Sequence, residues 1–200
     1  LRLSREIGDP YREMNSLGAV AGHRFLLSDP DWQKFGQEAI AIAEKLNDKK
    51  TQVELLLGLA GAYGMDKLDM TLKMVKQAHP IAEDINYKGA QVELLYWMGT
   101  VFEREGDYYT LLKDFEERRL ALSRELGWRL VEARSLMFVG QIRGLYLGDY
   151  EGSLPFLKQA EELWKDADQR LFVYLRQAQI YAQLRQFDKA KNYLDLAEPL

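Results

Sequence analysis

The stretch Gln52-Val53-Glu54-Leu55-Leu56 is repeated 39 residues later as Gln91-Val92-Glu93-Leu94-Leu95, and this repetition decides the fold. A second set of similar segments has the same period. Its five members begin at Leu3, Ile42, Ile81, Leu122 and Leu163, at spacings of 39, 39, 41 and 41 residues. Self-similarity at a period of roughly 20–50 residues is typical of proteins whose repeated units stack on their neighbours. The sequence therefore predicts an array of units about forty residues long.

Most of these segments end in a residue that is suited to closing a helix. An apolar residue is followed by glycine or asparagine at Gly8, Asn47, Asn86 and Gly127. Both residue types adopt the left-handed backbone conformation that is common just past a helix C-terminus. Each segment therefore predicts the end of a helix and a tight turn behind it. The fifth copy departs from this pattern, because Ala167-Asp168 stands at the corresponding place.

Aspartate marks the turn inside several of the units. Asp31, Asp107 and Asp149 each precede an aromatic residue, and Phe187-Asp188 has a similar place. Aspartate is a favourable N-cap, so these positions indicate helix starts. Apolar residues at three- and four-residue spacing favour helices, and no segment alternates as a strand would. The predicted first helices lie near 10–27, 50–64, 88–105, 129–147 and 169–184. The predicted second helices lie near 31–46, 67–85, 108–126, 150–166 and 187–198.

Each first helix also carries a small residue at a fixed place. These residues are Gly22, Ala60, Gly99, Gly140 and Ala178. A small residue lets a neighbouring helix approach closely, and the residue three positions on lies on the same face. That later position is aromatic in most units, but Arg143 occupies it in the fourth.

The pattern resembles the tetratricopeptide repeat (TPR). Parts of the family signature are carried by Trp97-Met98-Gly99 with Phe102, by Val139-Gly140 with Gly148-Asp149-Tyr150, and by Phe187-Asp188-Lys189-Ala190 with Ala197. The units are longer than the roughly 34 residues of the standard repeat. They look like the forty-residue variety of signalling scaffolds and bacterial repeat-containing regulators. The resemblance implies an all-α fold, an α-α superhelix of about five antiparallel helix pairs.

The resemblance covers essentially the whole chain, so we expect one TPR-like array over residues 1–200. Its units are expected at about 9–47, 48–86, 87–127, 128–167 and 168–200. Residues 1–8 match the tail of a preceding second helix, and the C-terminal residues match only part of one. We therefore expect the chain to be a fragment of a longer protein.

Composition and motifs argue against several classes of protein. The net charge is -4, whereas nucleic-acid binders usually carry a basic excess on one face. There is no cysteine, and the two histidines, His23 and His79, form no metal-binding motif. No apolar run is long enough to span a membrane, and no phosphate loop or nucleophile elbow occurs. We expect a cytoplasmic protein that is not an enzyme, has no cofactor or metal, and binds neither nucleic acid nor membrane.

The resemblance also implies where a partner would bind, because the first helices line the concave face of such arrays. Positions counted from the small residues give a candidate lining of Tyr96, Thr100, Arg134, Met137, Gln141 and Gln179. Arg143 is added because its guanidinium would reach an acidic group on a ligand. The alternative is that Tyr96 and Met137 pack between adjacent first helices, and that Arg143 extends to solvent.

The leading hypothesis is a protein- or peptide-binding scaffold module of a larger regulatory or signalling protein. An extended peptide or a helix would bind this lining through side-chain hydrogen bonds and an apolar anchor. One alternative is a sensor domain that binds a small effector and controls an attached ATPase or DNA-binding domain. The other is a structural array that self-associates, for example as a homodimer.

Overall fold

The computed structural model describes residues 1–164 and 167–198, and every regular element in this part of the chain is helical. The α-helices are α1 (Arg2–Ile7), α2 (Pro10–Leu26), α3 (Trp32–Lys45), α4 (Lys49–Tyr63), α5 (Leu68–Asp84), α6 (Lys88–Glu105), α7 (Tyr108–Thr110), α8 (Glu117–Glu125), α9 (Arg129–Gln141), α10 (Tyr150–Leu163), α11 (Ala167–Gln183) and α12 (Phe187–Ala197). Two segments are π-helical: π1 (Leu111–Glu116) joins α7 to α8, and π2 (Ile142–Tyr146) follows α9. The predicted all-α fold is confirmed. With π1 and π2 counted as parts of the helices that they continue, the helices end within three residues of their predicted positions.

Successive helices pack side by side as hairpins. Helix α2 packs on α3, α4 on α5, α9 on α10, and α11 on α12. A second helix also contacts the first helix that follows it, as α3 contacts α4 and α10 contacts α11. Short turns join the two helices of each pair, so the helices run antiparallel. This is the arrangement that the repeat predicts.

The chain divides into two compact units, which we call unit 1 (Leu1–Trp97) and unit 2 (Met98–Leu200). The division falls inside α6. The single array over residues 1–200 stays a prediction. The predicted last repeat includes residues 199 and 200, which lie outside the described residues.

The turns between repeats have the backbone conformation that the sequence predicts. Gly8, Asn47, Asn86 and Gly127 have φ angles of 72°, 53°, 49° and 67°. At the second of these turns, the N–H of Asp48 donates to the carbonyl of Ala43 at 3.0 Å. This bond satisfies a carbonyl that the helix end leaves free. The fifth turn, predicted around Ala167-Asp168, includes residues 165 and 166, which are not among the described residues.

The predicted aspartate caps are confirmed in two of four places. Asp107 and Asp149 each accept the backbone N–H three residues later, at 3.1 Å and 3.0 Å. Asp31 stands at the N-cap of α3, but its side chain makes no capping bond. Gln186 is the N-cap of α12, which places Asp188 in the first turn of that helix. An acidic residue there still interacts favourably with the helix dipole.

The small residues of the first helices differ in how closely the neighbouring helices approach them. A Cβ added at Gly99 would lie 2.9 Å from Leu111, and one added at Gly140 would lie 2.8 Å from Leu157. In unit 2 the second helix therefore approaches the first as predicted. At Gly22, in contrast, an added Cβ would meet no atom within 4 Å. The space around Gly22 is therefore open, whereas Ala60, the small residue of α4, is fully buried.

The core of unit 1 begins where α2 faces α3. Met14 and Leu17 of α2 are fully buried against Ala39 and Ala43 of α3, and Phe35 packs on this cluster. The two alanines let the helix backbones approach, and the larger side chains of α2 fill the space between them. Such close packing supplies most of the stability of an amphipathic helix, whose own propensity is weak.

Candidate functional site

The predicted lining residues lie in both units. Tyr96 is half-buried on α6 in unit 1, and its ring packs at 5.2 Å against Trp97. The others belong to unit 2. Thr100 is only 5% exposed, so little of it is accessible to a partner. Arg134 and Gln179 are exposed, while Met137 is half-buried.

One face of α9 carries three of the predicted residues. Arg134, Met137 and Gln141 are spaced three and four residues apart, which places them on the same side of the helix. The Oε1 atom of Gln141 accepts a hydrogen bond from Nε of Arg176 on α11, at 2.9 Å. Nη1 of Arg176 donates at 3.0 Å to Oε1 of Gln179. A chain of polar side chains therefore connects α9 to α11.

Segment π2 extends this chain at the end of α9. The amide of Gln141 donates to the hydroxyl of Tyr146 at 3.3 Å, although the residues are five positions apart. In an α-helix such residues point to different sides. A π-helix takes one more residue per hydrogen-bonded turn, as the 3.0 Å bond from Leu147 N to Ile142 O shows. The extra residue brings Tyr146 beside Gln141.

Tyr146 in turn stacks on an aromatic ring from the preceding helix pair. Its ring lies parallel to that of Tyr108 on α7, with centroids 3.9 Å apart and an interplanar angle of 5°. Desolvation and the neighbouring Tyr146 raise the pKa of Tyr108, so this phenol keeps its proton at neutral pH. We call the surface formed by Arg134, Met137, Gln141, Tyr146, Arg176 and Gln179 the arginine–glutamine face.

The arginine–glutamine face carries positive charge that is not balanced by any carboxylate of the described residues. Arg176 donates to two neutral amide oxygens. Neither Arg176 nor Arg134 forms an ion pair with any residue that the structure describes. An arginine usually pairs with a carboxylate where one is within reach, because the two groups match in charge and geometry. Two guanidinium groups are therefore available to an acidic partner.

Arg143 does not lie on this face. Its Nη2 donates to Glu117 at 3.1 Å, its Nη1 donates to Asp149 at 3.3 Å, and its guanidinium lies 5.0 Å from the centre of the Phe156 ring. These partners belong to α8, the start of α10 and the body of α10. The side chain therefore points between helices of unit 2, where the carboxylates of Glu117 and Asp149 pair with its charge.

The sequence prediction missed Arg176, although the alignment of the repeats contains a signal for it. Arg176 stands two residues before the small residue Ala178. Trp97 and Phe138 occupy the same position in the two preceding units. Arginine at a position that is aromatic in these two units breaks the pattern, and this indicates a local role for Arg176. The contribution of Tyr146 had no such signal, because it depends on π2.

Neither a cluster of three metal-ligating side chains nor a membrane-spanning helix occurs among the residues that the structure describes. Residues 1–164 and 167–198 contain no group of three histidine, cysteine or acidic side chains placed to hold a metal ion. Within the same residues, no helix has both the length and the apolar character needed to cross a membrane.

Comparison with solved structures identifies the fold. A Signal Transduction ATPase with Numerous Domains (STAND) protein with a tetratricopeptide repeat sensor, from Pyrococcus horikoshii, matches 98% of this chain over 30% of its own chain, with a TM-score of 0.70 and 24% identity. Nearly identical TPR-like repeats assigned to a kinesin light chain of P. anserina match 95% of both chains, with a TM-score of 0.67 and 15% identity. This chain has the TPR-like repeat fold.

A third solved structure is also similar to this chain. BtubC (BKLC) from P. vanneervenii matches 100% of this chain and 91% of that chain, with a TM-score of 0.73 and 15% identity. No protein-family model and no curated protein sequence matches the chain. The likeness is therefore one of fold. The function of this TPR-like chain has to be argued from its own residues.

Proposed function

We propose that this chain is a protein-interaction module that binds an acidic segment of a partner protein on the arginine–glutamine face. One observation carries the proposal. Arg176 is held by Gln141 and Gln179 through neutral acceptors only, at 2.9 Å and 3.0 Å, and Arg134 on the same unit has no ion pair among the described residues. Both guanidinium groups gain a partner when a carboxylate binds.

The chemistry of the face suits an extended peptide. A guanidinium presents a planar fork that binds a carboxylate through two parallel hydrogen bonds. The two glutamines hold Arg176 in place before binding, which lowers the entropy lost when the complex forms. Met137 adds an adaptable apolar contact, and the exposed Tyr146 offers an aromatic surface at the edge of the face.

Charge also favours an acidic partner kinetically. The whole chain has a net charge of -4, so an acidic segment is repelled elsewhere and guided to the local positive charge. Complementary charge of this kind raises association rates and is screened by salt. We therefore expect binding to weaken as the salt concentration rises. Effector sensing and self-association, the alternatives from the sequence, stay predictions.

The test uses a fluorescein-labelled peptide, Gly-Ser-Glu-Glu-Leu-Glu-Glu-Ser-Gly, and its lysine counterpart, with binding followed by fluorescence anisotropy. Arg176→Gln should weaken binding of the acidic peptide about tenfold or more, because it removes a charged hydrogen-bond donor. Arg129→Gln is the control. Arg129 is an exposed arginine at the start of α9, five residues from Arg134, and it does not belong to the arginine–glutamine face. Equal binding of both peptides, or an equal effect of both substitutions, would overturn the proposal.

A further inference from the structure

A pocket opens between the first two helix pairs of unit 1. Helices α2 and α4 form its sides, and α3 contributes to its floor. The enclosed volume is about 210 Å³. Four of the lining residues are glycine, and Glu54 is the only charged one. The lining also includes Phe25, Trp32 and Leu59.

The pocket exists because side chains are missing from both of its sides. A Cβ added at Gly22 of α2 or at Gly58 of α4 would meet no atom within 4 Å. Both glycines are helical, and glycine in a helix interior destabilises the helix relative to alanine. Nothing in the packing of unit 1 requires glycine at these two positions. The open space is therefore a feature of the surface and does not result from a close approach of helices.

Aromatic rings line one end of the pocket. Trp32 is 8% exposed and packs against Phe25 with ring centroids 5.5 Å apart. On its other side Trp32 contacts Tyr63 at 5.0 Å. These contacts hold the ring in place, while Phe25 remains 42% exposed at the mouth of the pocket. The walls thus offer fixed apolar surface to an inserted group.

Glu54 supplies negative charge at the rim. Its Oε1 accepts a hydrogen bond from the hydroxyl of Tyr87 at 3.0 Å and lies 3.8 Å from Nζ of Lys50. Its Oε2 has no partner among the residues that the structure describes. Burial, and then the charges of Glu54 and Glu93, raise the pKa of Tyr87, so the phenol stays a donor to Oε1. One carboxylate oxygen therefore remains open to a cationic partner.

The size of the pocket separates two kinds of occupant. Pockets for whole small molecules usually enclose roughly 300–1,000 Å³, whereas this one encloses about 210 Å³. The volume suits one large side chain. The apolar walls exclude a charged head group, and Glu54 at the rim favours a cation beside the inserted group.

We propose that this pocket binds one large apolar side chain of a partner protein, and that a neighbouring lysine or arginine of the same segment pairs with Oε2 of Glu54. The site lies in unit 1 and is separate from the arginine–glutamine face. It rests on the proposed function only in assuming that the partner is a polypeptide. The two sites select segments of opposite charge, so they can be tested separately.

The chain offers a matched pair of variants for the test. Gly58→Leu places a side chain into the pocket. Gly61→Leu makes the same substitution one turn later on α4. A Cβ added at Gly61 also meets no atom within 4 Å, but Gly61 does not line the pocket. Both changes raise the helix propensity of α4, and thermal melts should show both variants folded. Glu54→Gln removes the rim charge but keeps an acceptor for Tyr87.

The probe is a phage library of random dodecapeptides, selected on the whole chain and then resynthesised for fluorescence anisotropy. We expect enriched peptides to share a large apolar residue next to lysine or arginine. Gly58→Leu should weaken their binding about tenfold or more, as expected for one buried large apolar side chain. Gly61→Leu should change it less than twofold. Glu54→Gln should weaken it about two- to fivefold, less so in high salt.

Three results would overturn the inference: no enrichment of basic apolar peptides, equal binding to the wild type and to Gly58→Leu, or an effect of Gly61→Leu as large as that of Gly58→Leu. If basic apolar peptides bind Gly58→Leu as tightly as the wild type while acidic peptides lose binding with Arg176→Gln, this inference fails and the proposed function stands. If basic apolar peptides lose binding with Gly58→Leu while acidic peptides bind Arg176→Gln as tightly as the wild type, the pocket is supported and the proposed function fails.

Discussion

The guanidinium of Arg143 donates to Glu117 at 3.1 Å and so joins the first helix of one pair to the second helix of the pair before it. The same group donates to Asp149 at 3.3 Å, at the turn that opens α10. Arg143 stands in a slot that is aromatic in other units. It replaces their ring contacts with two ion pairs and a contact to Phe156, at 5.0 Å from the ring centre.

Replacing Arg143 should therefore lower stability and leave binding unchanged. We expect Arg143→Met to reduce the free energy of unfolding by about 1–2 kcal/mol, because the side chain is half-buried and its ion pairs are only partly screened. Urea denaturation measures the loss. Affinity for the acidic peptide should stay within twofold of the wild type. A large loss of affinity with no loss of stability would instead support the predicted role of Arg143 in ligand binding.

Glu116 and Arg119 form a buried ion pair, 3.4 Å apart, in which both side chains are almost inaccessible. Burial raises the pKa of Glu116, although Arg119 lowers it. A carboxyl group with a raised pKa contributes its full stability below the unfolded-state pKa, and that contribution is lost as the pH rises through the folded-state pKa. Removing the arginine raises the folded-state pKa further.

We expect Arg119→Met to cost about 3 kcal/mol or more at pH 7, because it leaves a buried carboxylate without its cation. At pH 5 the loss should be smaller, since Glu116 is then more often protonated. Urea denaturation at both pH values measures the difference from wild type. The double variant Glu116→Leu with Arg119→Met should recover most of the loss. Equal losses at pH 5 and pH 7 would contradict this account.

Gly140 should not tolerate a side chain. An alanine Cβ there would lie 2.8 Å from Leu157 and 3.2 Å from the backbone carbonyl of Ser153. We expect Gly140→Ala to destabilise unit 2 by about 1–3 kcal/mol through overpacking. Gly61→Ala, with open space around its Cβ, should instead stabilise by up to about 1 kcal/mol. Thermal denaturation should separate the two substitutions in opposite directions.

Asn47 reports on the turn between repeats. Its φ of 53° is unfavourable for residues with a Cβ, but less so for asparagine than for alanine. We expect Asn47→Ala to cost about 1 kcal/mol, whereas Asn47→Gly should be neutral or slightly stabilising. Chemical denaturation checks both. If the two variants lose the same stability, a lost side-chain contact and not backbone strain would be the cause.

The repeat pattern predicts much of the candidate site. The remaining side-chain contacts depend on packing between helices. Arg134, Met137 and Gln141 share a face because helical spacing alone places them there. A repeat alignment gives the position of Arg143 but not its side-chain partners. Its role in ligand binding stays a prediction. Glu117 is distant from Arg143 in the sequence, and Asp149 lies across a turn. Only packing brings these carboxylates to the guanidinium.

The sequence by itself determined the helix pairs and their turns, because periodic apolar residues and residues such as Asn47 act through short-range backbone preferences. Only the tertiary structure decided what each face can bind. Tyr146 reaches Gln141 because α9 continues as a π-helix, a choice governed by packing around it. The pocket beside Gly58 depends on the separation of α2 and α4. The pocket brings together residues far apart in the chain and the π-helix depends on its surroundings, so no local sequence pattern specifies either.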